Sequence, residues 1–246
     1  FIGLGEYFYR SYTKYAQTLF GGGIGILYIS VFAAFAIHSM FGLYITVGMV
    51  FLITFTASLL ALKHDSASLA TIGIIGAFLA PFIISAGNSS LISPGSSNYN
   101  NLKSQFLFYV ILLDLGVLFL STFKNWSWFN KIALVFSMFA FVFWYIEFSK
   151  ITTFWEAQVY LSIIFAIFIF VGLLFHMIWK RVPGISDYST MLANGIFYLI
   201  ISNWIFRDSD FKNWLGSFTL LIAVIYSCIG YYAFRVNKSN SKLSLM

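Results

Sequence analysis

Residues 106–120, FLFYVILLDLGVLFL, decide the fold class of this chain. The stretch holds twelve Leu, Ile, Phe or Val residues and a single acid, Asp114. A hydrocarbon core about 30 Å thick is crossed by an α-helix of about 20 apolar residues. An Asp at the centre costs about 2.5–3.5 kcal/mol to insert, and each Leu, Ile, Phe or Val offsets about 0.3–0.6 kcal/mol. The stretch therefore predicts a membrane-spanning helix with an acid in its middle.

The same pattern recurs along the whole chain. Of the 246 residues, 60% are hydrophobic and 9% charged, whereas a soluble domain carries about 25% charged residues. The runs are continuously apolar, which favours helices over the alternating strands of a membrane barrel. We predict an all-α polytopic bundle with about eight spans, at 16–37, 43–62, 69–86, 105–123, 132–149, 158–179, 189–206 and 215–234.

The order of apolar and basic residues divides the chain into three parts. Residues 1–15 combine apolar positions at helical spacing with Glu6, Arg10 and Lys14, which predicts an amphipathic interfacial helix or the tail of an earlier helix. Residues 16–234 form the bundle, and 235–246 a short tail. Ten Lys and Arg residues lie on one predicted side and four on the other, so the positive-inside rule places both ends of the chain in the cytoplasm.

Two polar residues lie deep in predicted spans, Asp114 and Asn194. Intramembrane acids mark proton or cation relays and substrate contacts. The alternative for both residues is an interhelical hydrogen bond, with Asp114 protonated or hydrogen-bonded. Glu147, Glu156 and Gln158 lie at predicted outer helix ends, where they line an outer vestibule or are simply solvated.

Small residues and a proline mark predicted helix contacts. Pro81 removes a backbone donor inside a span, so it predicts a kink with freed carbonyl groups. Two pairs of small residues spaced four apart predict close helix packing: Gly21 with Gly25, and Gly73 with Ala77.

Signatures of common enzymes do not occur in the sequence: there is no G-x-S-x-G, no P-loop and no H-E-x-x-H. The three histidines, His38, His64 and His176, lack metal-ligand spacing. We therefore expect no enzyme activity, no cofactor and no metal. The net charge of +6 lies mostly between spans, which predicts the lipid bilayer, and not a nucleic acid, as the partner.

Several short motifs occur in a moderately specific order along nearly the whole chain: Gly21-Gly22-Gly23, Lys63-His64-Asp65-Ser66, Gly73-x-x-Gly76-Ala77-Phe78, Leu112-Leu113-Asp114-Leu115-Gly116, Trp126-x-Trp128-Phe129-Asn130, Ala193-Asn194-Gly195 and Trp214-Leu215-Gly216. Together they resemble a family of bacterial multi-pass membrane proteins, domain of unknown function twenty-three thirty-nine. The family often has Arg-Gln-Asp-Ser where this chain has Lys-His-Asp-Ser. The resemblance implies a bacterial inner membrane and a longer parent protein, and it carries no catalytic residues over.

Two functions fit these observations. The first is a transporter-like protein that binds or moves a lipid-like or weakly polar molecule. It is favoured by the many spans, the few intramembrane charges and a faint repeat between 25–28 (GILY) and 195–198 (GIFY). The alternative is a non-catalytic membrane subunit or scaffold of an envelope complex, which predicts a membrane-protein partner or self-association through the small-residue faces.

Overall fold

Nine α-helices make up the part of the chain that this computed structural model describes. They are α1 (Ile2–Tyr9), α2 (Thr13–Ala36), α3 (Leu43–Lys63), α4 (Ala67–Gly87), α5 (Tyr99–Phe123), α6 (Ser127–Phe148), α7 (Phe154–Trp179), α8 (Ile185–Arg207) and α9 (Leu215–Leu243). Two short 3-10 turns, Ser149–Ile151 and Lys212–Trp214, precede α7 and α9.

The structure describes the backbone of residues 1–9, 11–38, 40, 42–87, 99–124, 126–179, 185–207 and 209–243. Within these ranges, side chains are described except at 43–44, 83–87, 99–100, 173–179, 185, 229 and 232–243. Most of the predicted Asn- and Ser-rich loop at 87–104 therefore lies outside the described residues.

The helices are built as membrane spans. In the described residues, six helices are long and apolar enough to cross a bilayer, namely α2, α3, α5, α6, α7 and α8. Side chains of α4 are described over Ala67–Phe82, and this part is a shorter apolar segment. Side chains of α9 are described only in its first part. Each predicted span overlaps one helix from α2 to α9. The all-α bundle is thus confirmed, and the six candidate spans of the described residues are roughly consistent with the predicted eight.

The bundle has two neighbouring groups of helices. In the first group α1 packs on α2, and both α2 and α3 pack on α4. In the second, α5 packs on α6 and α7, and α8 packs on α7 and α6. Contacts of α4 with α6 and α5 join the groups. Large side chains fill the shared core, and among the fully buried ones are Phe20, Phe78, Phe141, Trp144 and Phe168.

The first helix runs antiparallel to the start of α2. A Cβ on Gly5 would lie 2.7 Å from the ring of Phe20, and one on Gly23 would lie 3.1 Å from Phe1. The later residue of α1, Gly5, meets the earlier residue of α2, Phe20, and Phe1 meets Gly23. The two helices therefore pack side by side in opposite directions. Apolar packing on α2 therefore orients α1, which distinguishes it from a helix held by the membrane surface alone.

The last helix extends past its predicted end. The sequence predicts a span that ends at 234 and a separate tail at 235–246, whereas α9 is helical to Leu243. A helix satisfies its own backbone hydrogen bonds, so polar residues can continue it from lipid into water. Residues 244–246 lie outside the described part.

Candidate functional site

Asp114 is fully buried in α5, with 0% of its surface exposed. The hydroxyl of Ser137, on α6, donates to its Oδ2 at 2.7 Å. Its second oxygen, Oδ1, is buried, and no described residue donates to it. The hydrogen-bond partner of Asp114 therefore lies across the α5–α6 contact, and one of the two carboxyl oxygens has no partner among the described residues.

A second buried contact supports the same α5–α6 interface. The Ser121 hydroxyl lies 2.8 Å from Asn130 Oδ1 and also 2.8 Å from the carbonyl of Val117 in its own helix. Ser121 follows Asp114 by seven residues on α5, and Asn130 precedes Ser137 by seven on α6. Seven residues are two helical turns, so the two contacts lie on the same faces of an antiparallel pair.

Glu156, a predicted vestibule residue, is held in an ion pair at the start of α7. Lys103 Nζ, on α5, donates to Glu156 Oε2 at 2.7 Å and lies 3.4 Å from the carbonyl of Ile151. The Lys103 side chain is largely buried. The fully buried indole of Trp144 donates to the Lys103 carbonyl at 3.0 Å. This end of α5 is therefore tied to both α6 and α7.

Gln158, the second residue predicted to line a vestibule, points into the α7–α8 interface. Its Nε2 donates to Tyr198 Oη at 3.0 Å and to Ser202 Oγ at 3.1 Å, both on α8. The Ser162 hydroxyl donates to the Gln158 carbonyl at 2.6 Å, which leaves the Tyr198 hydroxyl to donate to Ser162 Oγ, 2.8 Å away. Gln158 Oε1 is buried without a described partner. Glu147, the third vestibule residue, is half-buried near the end of α6.

Asn194 is fully buried at the same interface, further along α8. Its Nδ2 donates to the carbonyl of Phe165, on α7, at 3.0 Å. Its Oδ1 is buried, and it too lacks a donor among the described residues. The structure therefore places Asn194 and Gln158 at one interface and Asp114 at the neighbouring one, and each has one unsatisfied acceptor oxygen.

Pro81 lies inside α4, and the helix continues through it. A proline has no N–H, so the carbonyl four residues earlier, that of Ala77, loses its helical donor. The hydroxyl of Tyr109, on α5, donates to this carbonyl at 2.9 Å. The carbonyl freed by Pro81 is thus satisfied by a neighbouring helix, as membrane interiors require. A kink at Pro81 stays a prediction.

The predicted small residues differ in what they touch. A Cβ on Gly73 would lie 2.8 Å from Ala57 of α3, and one on Gly21 would lie 2.8 Å from Ile72 of α4. Ala77 is fully buried. A Cβ on Gly25, in contrast, would meet no atom within 4 Å. Close packing within the described chain therefore involves Gly21, Gly73 and Ala77, and Gly25 lies beside open space.

A charged cluster at the opposite end of the molecule joins α1 to the α3–α4 turn. Lys63 Nζ and His64 Nε2 lie 2.8 Å and 3.0 Å from the same Glu6 oxygen, Oε1. The hydrogen bond from Lys63, followed by that of His64, lowers the pKa of Glu6 from its ordinary value. The buried His64 ring stacks on Phe20, and Tyr9 donates to the His64 carbonyl at 3.3 Å. The sequence pattern grouped Glu6 with Arg10 and Lys14 and did not point to Lys63 or His64 as its partners.

These features define an integral membrane protein of polytopic α-helical architecture, with buried polar contacts between its helices. The family described as predicted membrane protein (DUF2339) matches residues 1–244, so the chain belongs to that family. The resemblance based on the sequence motifs is therefore confirmed. Neither a curated protein nor a solved structure matches the chain in the corresponding searches.

Several contributors to the candidate sites were not singled out as site residues from the sequence, among them Lys103, Tyr109 and Tyr198. Tyrosine and lysine are common where a span meets the membrane interface. Their presence in the sequence therefore does not indicate that they contact another helix. For Tyr109 a signal existed, because Pro81 requires a donor from another helix. Only the structure shows which helix supplies it.

Proposed function

We propose that this protein is a transporter-like protein of the bacterial inner membrane, which binds or moves a lipid-like or weakly polar molecule through α5–α8. The observation that carries the proposal is the set of three buried side-chain oxygens without described partners: Asp114 Oδ1, Gln158 Oε1 and Asn194 Oδ1. A buried polar atom left without its hydrogen bond costs about 1–3 kcal/mol. A bound molecule that carries hydrogen-bond donors would offset this cost.

The depth of two of these atoms supports a guest inside the membrane. Asp114 is fifteen residues from the start of α5, or about 22 Å, and Asn194 is thirteen residues from the end of α8, or about 20 Å. Each lies nine residues, or about 14 Å, from the other end of its helix, which is close to half of a hydrocarbon core about 30 Å thick. Substrate sites of membrane transporters lie near the bilayer midplane, so the depth fits such a site.

Access to this depth requires movement. Asp114 and Asn194 have no exposed surface, so a guest reaches them only when α5–α8 separate. The Lys103–Glu156 ion pair ties α5 to α7 at one end of that group and would have to break or move with it. The structure is therefore assigned to a closed state of the proposed cycle, as alternating access requires.

The experiment is reconstitution into vesicles of phosphatidylethanolamine and phosphatidylglycerol, with two probes. A fluorescent short-chain phospholipid reports lipid movement between leaflets, and glycerol reports movement of a weakly polar solute. We expect at least one probe to move faster than in protein-free vesicles. Asp114→Asn should alter that rate, whereas Ser121→Ala, which removes a polar contact at the same interface, should not. Rates equal to those of protein-free vesicles for both probes would overturn the proposal.

The proposal includes an orientation with both ends of the chain in the cytoplasm, supported by the ten-to-four distribution of bases. Two exposed residues test it, Ser68 at the start of α4 and Thr153 just before α7. In a Cys228→Ser background, a membrane-impermeant maleimide should label Thr153→Cys from the periplasmic side and Ser68→Cys from the cytoplasmic side. Labelling of both cysteines from one side would refute this orientation.

The second candidate function is a non-catalytic subunit or scaffold of a membrane complex. One observation favours it: α9 leaves a broad apolar face exposed, which includes Leu220, Leu221 and Val224. In a membrane such a face meets lipid or another helix. Extraction in a mild detergent and sizing by light scattering separate the two, because a scaffold predicts a stable complex together with no probe movement in vesicles.

A further inference from the structure

The buried face of α8 carries an unbroken series of polar side chains. Asp187, Thr190, Asn194, Tyr198 and Ser202 follow one another at intervals of three or four residues, and each is at least nine-tenths buried. That spacing places them on one face of the helix. At about 1.5 Å per residue the series extends about 22 Å, most of a hydrocarbon core about 30 Å thick.

The facing helix α7 supplies partners along the same line. Gln158 and Ser162 contact Tyr198, and the carbonyl of Phe165 contacts Asn194. The rings of Phe165 and Tyr198 stack with centroids 4.2 Å apart. The α7–α8 interface is therefore a polar column inside an apolar bundle, with one stacked pair of aromatic rings in it.

Helix association alone does not require this column. An interhelical hydrogen bond in a membrane contributes about 0.6 kcal/mol on average, and a leucine at each position would pack without any polar cost. Two amide oxygens in the column, Gln158 Oε1 and Asn194 Oδ1, lack donors among the described residues. A buried network with unsatisfied members is less stable than an apolar one, so the column calls for a bound donor.

The column also restricts the charge of its occupant. Its only ionisable acid is Asp187, in the first turn of α8, and its middle part from Thr190 to Ser202 consists of hydroxyl and amide groups. An ion in this middle part would lose its hydration without meeting an opposite charge, which costs several kcal/mol. A neutral molecule with donor groups would pair with the two free oxygens.

We propose that the α7–α8 interface is the route of a small uncharged hydrogen-bond donor, of the class of water and small polyols. This inference rests on the proposed transport function and names its solute and path. Tyr198 lies in the middle of this interface, where its hydroxyl contacts Gln158 and Ser162 and its ring stacks on Phe165, all three on α7. It is a positioning residue for the passing solute.

The test compares two matched tyrosine variants in proteoliposomes. Tyr198→Phe removes the hydroxyl from the column and keeps the ring. Tyr226→Phe removes an equivalent interhelical hydrogen bond, since Tyr226 donates to the Met191 carbonyl of α8 at 2.8 Å, but from α9. Glycerol and urea uptake are followed by stopped-flow light scattering, with potassium as the charged probe. We expect Tyr198→Phe to lower glycerol uptake about fivefold, the rate equivalent of one hydrogen bond of about 1 kcal/mol. Tyr226→Phe should leave it unchanged.

The possible results of this test distinguish the proposed α7–α8 route from the proposed transport function. Equal effects of the two variants on glycerol uptake would overturn the route and leave transport standing. Movement of phospholipid or potassium without glycerol or urea would overturn the solute class. Absence of all movement would refute the proposed function itself.

A second measurement tests whether water enters the α7–α8 interface, and it does not depend on a transport assay. In a Cys228→Ser background, Ser202→Cys on the column is compared with Ile200→Cys on the exposed face of α8. Thiols react with a small hydrophilic thiosulfonate only in water, because the reactive species is the thiolate. Faster modification of Ser202→Cys supports a wet column, and equal or slower modification overturns it even if the protein transports another molecule.

Discussion

The contact between Tyr109 and α4 allows a sharp test of how this bundle satisfies its backbone. Tyr109→Phe removes one hydroxyl and keeps the ring. The carbonyl of Ala77 then loses the donor that lies 2.9 Å away. Pro81 offers no N–H in its place, and Ala77 is fully buried, so no water reaches the carbonyl without rearrangement.

The expected cost follows from these contacts. An unsatisfied buried group costs about 1–3 kcal/mol, and interhelical hydrogen bonds measured in a membrane protein average about 0.6 kcal/mol, with a maximum of about 1.7. Because Ala77 has lost both of its donors, we expect Tyr109→Phe to lie near the upper value, at about 1.5 kcal/mol. In a Pro81→Ala background the restored N–H at 81 reaches the Ala77 carbonyl, so the same substitution should cost less than about 0.5 kcal/mol.

The assay is a double-mutant cycle by reversible unfolding in mixed micelles, with helicity as the signal. Tyr226→Phe is the matched control, because its acceptor, the Met191 carbonyl, keeps a donor four residues on in its own helix. Its cost should be small and independent of residue 81. Strict additivity of Tyr109→Phe and Pro81→Ala, within about 0.3–0.5 kcal/mol, would refute the idea that Tyr109 replaces the donor missing at Pro81.

Two further predictions concern the charged contacts at the two ends of the bundle. Lys103→Met leaves Glu156 without its cation, and Glu156→Gln leaves the more buried Lys103 without its counter-charge. Each should destabilise the protein by at least about 1–3 kcal/mol, and thermal unfolding in detergent measures both. Because the pKa of Glu6 is lowered from 4.5, the attachment of α1 gains stability above pH 4.5 and loses it as the pH falls through the lowered value. Hydrogen exchange in α1, corrected for intrinsic rates, should therefore rise at acidic pH in the wild type, and a similar rise in Glu6→Gln would contradict this assignment.

The helices themselves could be predicted from the sequence because lipid leaves so few alternatives. A continuous apolar run must satisfy every backbone group within itself, and the helix does so. Residues 106–120 therefore fixed α5 before any contact was known. The end of α9 could not be predicted in the same way, since polar residues after 234 are equally compatible with a helix in water or an irregular tail.

The partners of the polar residues could not be predicted, because they depend on how the helices rotate and pair. Asp114 was singled out by its insertion cost, yet nothing in the sequence pointed to Ser137 on α6. The sequence places Gln158 at an outer helix end, where it lines a vestibule or is solvated, whereas in the structure its side chain contacts α8 at the α7–α8 interface. Hydropathy measures a residue's cost in lipid, but it does not say which neighbouring helix offsets that cost.

The two helix groups differ in how completely hydrogen bonds offset the cost of their buried polar side chains. In α1–α4 the Tyr28 hydroxyl lies 2.9 Å from the Gly73 carbonyl and 2.8 Å from the Thr54 hydroxyl, and its ring packs on Gly76. All three buried side-chain atoms without partners in the described residues belong instead to α5, α7 and α8. Buried polar atoms without hydrogen bonds lower the stability of a protein. Where they persist, they are found mainly at functional sites. The imbalance therefore agrees with the proposed function, in which α5–α8 bind the transported molecule and α1–α4 support them.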